Sequence, residues 1–340
     1  MDFSIFLSCY YPDTSRPPAA MYAEMLELAR LAERTGYSGL TVPEHHFMNV
    51  LMCPSPLMFA VKIASVTKSI PITAAVVVLP LHDIRRLAGE IALADNFTEG
   101  RIQLGFGRGA FPYEFIRYGV PFDKGREIFD ESLELLTALL TQRDVSWDSE
   151  RYKFDSLTIM PRPIQNPHPP FWIAAMAPMA LYHCAKRGFN VQTTPLQGSM
   201  KMAVEQVQSF DKGFADSDLT ERPRLSLLRV AHCTRDDAHT EQILDIAEDY
   251  WRRFDNVFTT NGNIESGAIQ PIPANQTREE LAERLFVGTP EELIAKIQGY
   301  ADAGVDEINL NVLLGVDHED NAESIERFAS KVMPHFRRDC

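Results

Sequence analysis

A chain of 340 residues, 45% hydrophobic and 24% charged, is long enough to bury a large core and has the composition of a globular protein. Its net charge of −14 argues against nucleic acid or an anionic membrane as partner, because both are gripped by clustered Lys and Arg, and no apolar run reaches the roughly 18 residues that span a bilayer. Five scattered cysteines without CxxC spacing argue against a disulfide framework or a zinc site, so the expected setting is a reducing cytoplasm.

The apolar run over residues 1–7 reads as a first strand, since it lacks the basic flank and long apolar core of a signal peptide. A loop rich in Pro and polar residues follows. Residues 20–34 then carry Met21, Met25, Leu28, Leu31 and Ala32 at helical spacing, with Gly36 as the stop. A second strand ends in Thr41-Val42, stops at Pro43 and delivers Glu44, His45 and His46 together. Residues 54–67 predict a helix with Ser55 as cap and Pro56 in its first turn. The nearly unbroken apolar run 72–79 predicts a strand covered on both faces, which implies parallel pairing.

A helix over 84–97, a strand over 101–105 and a helix over 125–140 come next. Strands follow at 171–175, 190–193, 225–232 and 307–313, with helices at 178–187 and around 200–210, 238–254, 290–303 and 322–333. Strand and helix thus alternate about eight times without a composition break. This predicts one α/β domain over 1–340, a (β/α)₈ TIM barrel, with a doubly wound open sheet as runner-up. Two long loops interrupt it. Residues 144–170, with five prolines and an apolar-aromatic segment, predict an ordered insertion, and the polar segment 256–277 predicts a lid.

In a barrel the working residues lie on loops after strands, where Glu44-His45-His46 falls. If the backbone stays extended, Glu44 and His46 share one side and His45 takes the other, so the two histidines have different tasks. An imidazole suits the handling of a proton or an oxyanion. The alternative is that one histidine caps the loop and the other packs. Gly105-Phe-Gly-Arg-Gly109 places Arg108 among glycines, a combination suited to phosphate. It is a weak nicotinamide fingerprint, because the GxGxxG spacing is incomplete and Phe111-Pro112 argues against an immediately following helix. Met176-Ala177 lie among small residues before a helix that starts near Pro178, where free N–H groups attract phosphate. Ala74-Ala75-Val76 in the third strand offer a small apolar surface for a flat ring, or else simply fill the barrel. Tyr113, Glu114, His82 and Asp83 follow strands and face the same mouth.

Glu44-His45-His46-Phe47, Ala74-Ala75-Val76-Val77-Val78-Leu79-Pro80, Gly100-Arg101, Gly107-Arg108-Gly109, Ala185-Lys186-Arg187-Gly188-Phe189, Gly288-Thr289-Pro290-Glu291-Glu292 and Val332-Met333-Pro334, in this order along nearly the whole chain, resemble the luciferase-like flavin monooxygenases, the alkanal monooxygenase branch in particular. The resemblance implies a (β/α)₈ barrel holding reduced FMN, with molecular oxygen adding to the flavin to give a peroxyflavin that oxygenates an organic substrate. By position, His45 matches the catalytic histidine, with Glu44 and His46 orienting its loop. Arg108 matches a phosphate-binding arginine, Met176-Ala177 fall where backbone amides meet the phosphate, and Ala75-Val76 match a non-proline cis peptide beneath the flavin ring. The 256–277 loop matches a mobile lid. Gly107 stands where luciferases have a reactive cysteine, and Met176-Ala177 where they have a Glu-Ser pair, so a dark oxygenase is expected.

The absence of a nicotinamide-binding fold implies that a separate flavin reductase supplies the reduced FMN. Aromatic and Met residues (Tyr10, Tyr11, Met48, Met52, Trp147, Met160) point to a small apolar substrate, or equally to core packing, and the resemblance implies a homodimer or larger homo-oligomer. Three other readings stand beside this one: a deazaflavin hydride-transfer enzyme on the same barrel, a metal-dependent hydrolase using Glu44, His45 and His46 with His82-Asp83 or His232, and a flavin-storing barrel without activity.

Overall fold

A computed structural model describes residues 1–196, 198–258 and 263–336; the part of the expected lid at residues 259–262, and Cys340, lie outside them. The apolar run Ile72–Val78 is a strand buried along almost its whole length. Barrel interior on one side and helices on the other remove both of its faces from water. Seven further parallel strands, Asp2–Phe6, Gly39–Val42, Ile102–Gly107, Phe171–Ala174, Asn190–Thr193, Leu225–Cys233 and Glu307–Asn311, complete the ring. Each pairs with its successor, and the last closes on the first through Asp2↔Glu307 and Phe6↔Asn311. The barrel is therefore shut, and the open-sheet alternative is excluded.

Helices alternate with the strands as the apolar spacing predicts: Pro18–Thr35, Pro56–Ala64, Ile84–Phe97, Gly125–Thr141, Pro178–Lys186, Met200–Ala215, Asp237–Phe254, Pro290–Ala303 and His318–Lys331. Ser55 caps its helix, accepting the Met58 N–H at 3.4 Å, with Pro56 in the first turn. Inside the lower barrel, Ser4 and Ser226 donate to the Glu307 carboxylate at 2.9 and 2.8 Å, which satisfies the polar groups buried there.

Several elements differ from expectation. Phe111-Pro112 does not prevent a helix: Pro112–Tyr118 starts there, because proline at the first helical position lacks only an N–H that has no partner anyway. Phe286–Gly288 adds a ninth strand beside Ala231, His232 and Cys233. A short helix, Arg278–Arg284, opens on a reciprocal bond pair between Thr277 and Glu280. In the first insertion, Val145–Asp148 and Lys153–Leu157 form a hairpin. Its Trp147 donates to Glu131 at 3.3 Å and Met160 is exposed. Among the described residues no helix is long and apolar enough to cross a membrane. Cys9, Cys53, Cys184 and Cys233 are free thiols.

Candidate active site

The strand Gly39–Val42 ends at Pro43, and the next three residues divide in two directions. Glu44 is fully buried, and its carboxylate accepts from His46 Nε2 (2.8 Å), His82 Nε2 (2.8 and 3.0 Å) and the backbone N–H of Val78 (2.8 Å). Burial alone would raise its pKa. The donors from His46 and His82 outweigh that effect and hold it at about 2. His82 moves the opposite way: burial pulls its pKa down, but the Glu44 carboxylate prevails and raises it. His46 is completed by the Tyr118 hydroxyl at Nδ1, 3.1 Å away. Glu44 thus fastens the loop after the second strand to the end of the third.

His45 takes the other direction. Its Nδ1 lies 3.1 Å from Glu114 Oε1, an oxygen that also accepts the His46 backbone N–H at 2.7 Å. An oxygen already accepting an amide proton assigns Nδ1 as the donor and leaves the Nε2 lone pair open. The imidazole lies against Phe111, with centroids 4.3 Å apart and planes 22° from parallel. Glu44, His45 and His46 therefore do not converge on one point, which removes the geometric basis for a metal site built from these three. Among the described residues the one cluster with metal-ligand spacing is His232, His239 and Asp320.

The third and fourth strands make a flat floor. The Ala75–Val76 peptide is cis, and the ladder to the fourth strand slips between Ala75 and Val77. A Cβ at Gly105 would meet Ala75 Cβ at 2.4 Å, and one at Gly107 would meet Val76 Cγ2 at 3.0 Å. Glycine at both positions lets the strands approach. Arg108 follows directly, exposed, and its guanidinium has no partner among the described residues. Met176 and Ala177 follow the neighbouring fifth strand. The Met176 carbonyl accepts from Gln206 Nε2 at 2.8 Å, and Ala177 precedes the helix Pro178–Lys186. Adjacent strands thus deliver an unpaired cation and a helix N-terminus to the same rim, which suits a phosphate.

An open-sided cavity of about 70 Å³ is lined by Tyr250, Trp251, Phe254, Arg229, Arg284 and others. Phe254 meets Phe111 edge-on at 6.5 Å, so His45 is one ring removed from the cavity. The described part of the expected lid rests here. Its hairpin, Ile264–Glu265 with Ala268–Ile269, is tied to the loop after the second strand: Asn49 N–H donates to Gly267 O, and Ile269 N–H to Asn49 Oδ1, both at 2.9 Å.

Sequence reasoning named His82 and Glu114 only as residues of the mouth, and it missed Phe111, Tyr118, Arg229, Arg284 and the ring cluster on the helix Asp237–Phe254. One signal was available: Arg229 is the one Lys, Arg, Asp or Glu in the strand Leu225–Cys233. Asp83 is no part of the site. It is exposed, caps the helix Ile84–Phe97 and holds Arg85.

A closed (β/α)₈ barrel that gathers an imidazole, a glycine-backed floor and an aromatic cavity at the carboxyl ends of its strands is of the kind that carries enzymes. Residues 1–307 match the family described as luciferase-like monooxygenase, and the chain belongs to that family. It is 28% identical to the oxygenase component of flavin-dependent trigonelline monooxygenase from Acinetobacter baylyi, over 99% of this chain and 96% of that one. Among solved structures, a monooxygenase from Streptomyces bottropensis superimposes with a TM-score of 0.87 at 24% identity, covering 99% of this chain and 100% of that one. The oxygenating constituent of 3,6-diketocamphane monooxygenase from Pseudomonas putida, solved in complex with FMN, gives 0.81 at 18% identity, covering 100% and 99%. These two likenesses are likenesses of fold.

Proposed function

We propose that this protein is the oxygenase component of a two-component monooxygenase: it takes reduced FMN from a separate flavin reductase and uses O₂ to place one oxygen atom in a small, largely apolar organic substrate. The observation that carries this reading is His45, held by Glu114 and Phe111, with Phe254 linking Phe111 to an aromatic cavity. The relative named as an oxygenase component supports the division of labour with a reductase.

Reduced flavin, when bound, supplies the electrons that activate dioxygen. The chain's own residues do the rest. Ala75, Val76 and Gly107 would form the surface for the ring; a Cβ at Gly107 would press on Val76 Cγ2. Arg108 and the backbone amides following Met176-Ala177 hold the phosphate. His45 Nε2 accepts or returns a proton at the reacting oxygen, while Glu44 and His46 fix its loop as positioning residues. The described hairpin Ile264–Glu265 with Ala268–Ile269, tied to Asn49 on the loop after the second strand, would shield the mouth from water.

Photoreduced FMN, mixed anaerobically with the protein and then exposed to oxygen, should reoxidise in a protein-protected slow phase. Reoxidation at the rate of free reduced FMN would reject the proposal, and protection of a reduced deazaflavin instead would replace it by hydride transfer.

A further inference from the structure

Two buried cations line one cavity, and neither is in a direct ion pair with a carboxylate among the described residues. Arg229, in the middle of the strand Leu225–Cys233, is 3% exposed and donates to the Tyr300 hydroxyl (2.8 Å from Nη2), to Leu196 O (3.1 Å) and to Gly198 O (3.2 Å). Arg284, which ends the helix Arg278–Arg284, is 5% exposed. It donates to Gln276 Oε1 (2.7 Å) and to the same Leu196 O (3.2 Å), and its guanidinium lies 3.9 Å from the centre of the Trp251 ring. Its remaining nitrogen, Nη2, is buried and has no acceptor among the described residues. No carboxylate among the described residues forms an ion pair with either guanidinium.

This arrangement is costly as it stands. Burial and the neighbouring Arg229 pull the Arg284 pKa down to about 10, against the opposing charge of Asp255. Two like charges that share one carbonyl out of water call for an anion; Arg229 is held by Tyr300, Leu196 and Gly198, and Arg284 Nη2 is the guanidinium nitrogen left to donate to a carboxylate. The walls beside them are Tyr250, Trp251 and Phe254, and Phe254 leads through Phe111 to His45.

We propose that Arg229 and Arg284 form an anion subsite in this cavity, and that the substrate is an apolar or ring-bearing molecule carrying a carboxylate. The subsite orients the substrate by its acid group and leaves its apolar part toward His45. As a statement about substrate this rests on the monooxygenase reading; as a statement about binding it does not. The same chemistry has a second source, the phosphate of FMN, and the test separates the two.

Flavin-free protein is titrated calorimetrically with benzoate and hexanoate, each against its neutral amide, and separately with FMN. At least one acid should bind roughly tenfold or more tightly than its amide. Arg284→Ala should remove that preference while leaving amide and FMN affinities within about twofold, and Arg284→Lys, which keeps the charge and loses the fork, should fall between. Circular dichroism establishes that each variant is folded, and the wild-type comparison of acid with amide stands without them. The proposal is overturned if neither acid outbinds its amide, or if the preference survives both substitutions. It is likewise overturned if Arg284→Ala weakens FMN alone, which would assign the pair to the flavin phosphate. Because no reduced flavin or oxygen enters these titrations, failure here leaves the proposed oxygenase activity standing, and failure of that activity leaves these results readable.

Discussion

Glu114 Oε1 stands 3.1 Å from Nδ1 of His45 and, through the same oxygen, receives the backbone N–H of His46. One carboxylate oxygen thus fixes both the ring and the chain that carries it. His45→Ala should keep FMN affinity within about twofold and lower substrate oxygenation by roughly 10²- to 10⁴-fold, the usual worth of a positioned proton donor or acceptor. Glu114→Gln retains the shape and loses the charge. It should lower kcat less than His45→Ala and displace the pH profile of kcat, a shift that a purely structural residue would not produce. Undiminished turnover in His45→Ala, followed by product analysis, would remove the imidazole from the chemistry.

Glu44 is a different kind of carboxylate, consumed by three donors. Glu44→Ala would strand His46, His82 and the Val78 N–H in the interior and should cost about 3–5 kcal/mol, as loss of one member of a buried charged network does. Urea unfolding measures this directly.

The same network sets a pH window. Glu44 has a folded pKa near 2 against an ordinary 4.5, so its contribution is fully present above pH 4.5 and is lost as the pH falls toward 2, on the order of 3 kcal/mol in all. His82 has its folded pKa raised above 6.5, so its contribution is present below 6.5 and is lost as the pH rises through the folded value. Both act together between those limits. Thermal midpoints of wild type and Glu44→Ala should differ most in that interval and converge in acid; a constant difference down to pH 2 would contradict the assignment.

Gly105→Ala places a Cβ 2.4 Å from that of Ala75, and neither strand can yield without moving the floor. A loss of about 1–3 kcal/mol, with weakened FMN binding, is expected. Gly89→Ala is the control: it lies in the helix Ile84–Phe97 with nothing within 4 Å, and should be stabilising by about 0.5–1 kcal/mol. Paired denaturant curves and flavin fluorescence titrations distinguish the two sites.

Barrel strands and helices were legible because each leaves a periodic trace. The run Ile72–Val78 has to be covered on both faces, and Gly36 has to end a helix, whatever lies far away in the chain. The separation of His45 from Glu44 and His46 was legible for the same reason, as a consequence of strand alternation. What could not be read was who meets whom. Glu114 is 69 residues from His45, and Arg284 is 88 from Leu196. Such meetings depend on closure of the ring and on loop paths that no local pattern encodes. Pro112 misled because proline signals both a break and a start, and only the direction of the following chain tells which. Trp147 and Met160 left two readings open because an aromatic or sulfur side chain looks the same in sequence whether it lines a cavity or covers a helix.

Phe111 and Glu114 share one helical turn: the first stands at the threshold of Pro112–Tyr118 and presses on the imidazole, and the second reaches its nitrogen. Their interval is therefore a ruler. One residue inserted between them would swing the acid about 100° around the helix and leave the ring with a bed and no anchor, so the segment tolerates changes of residue far better than changes of length.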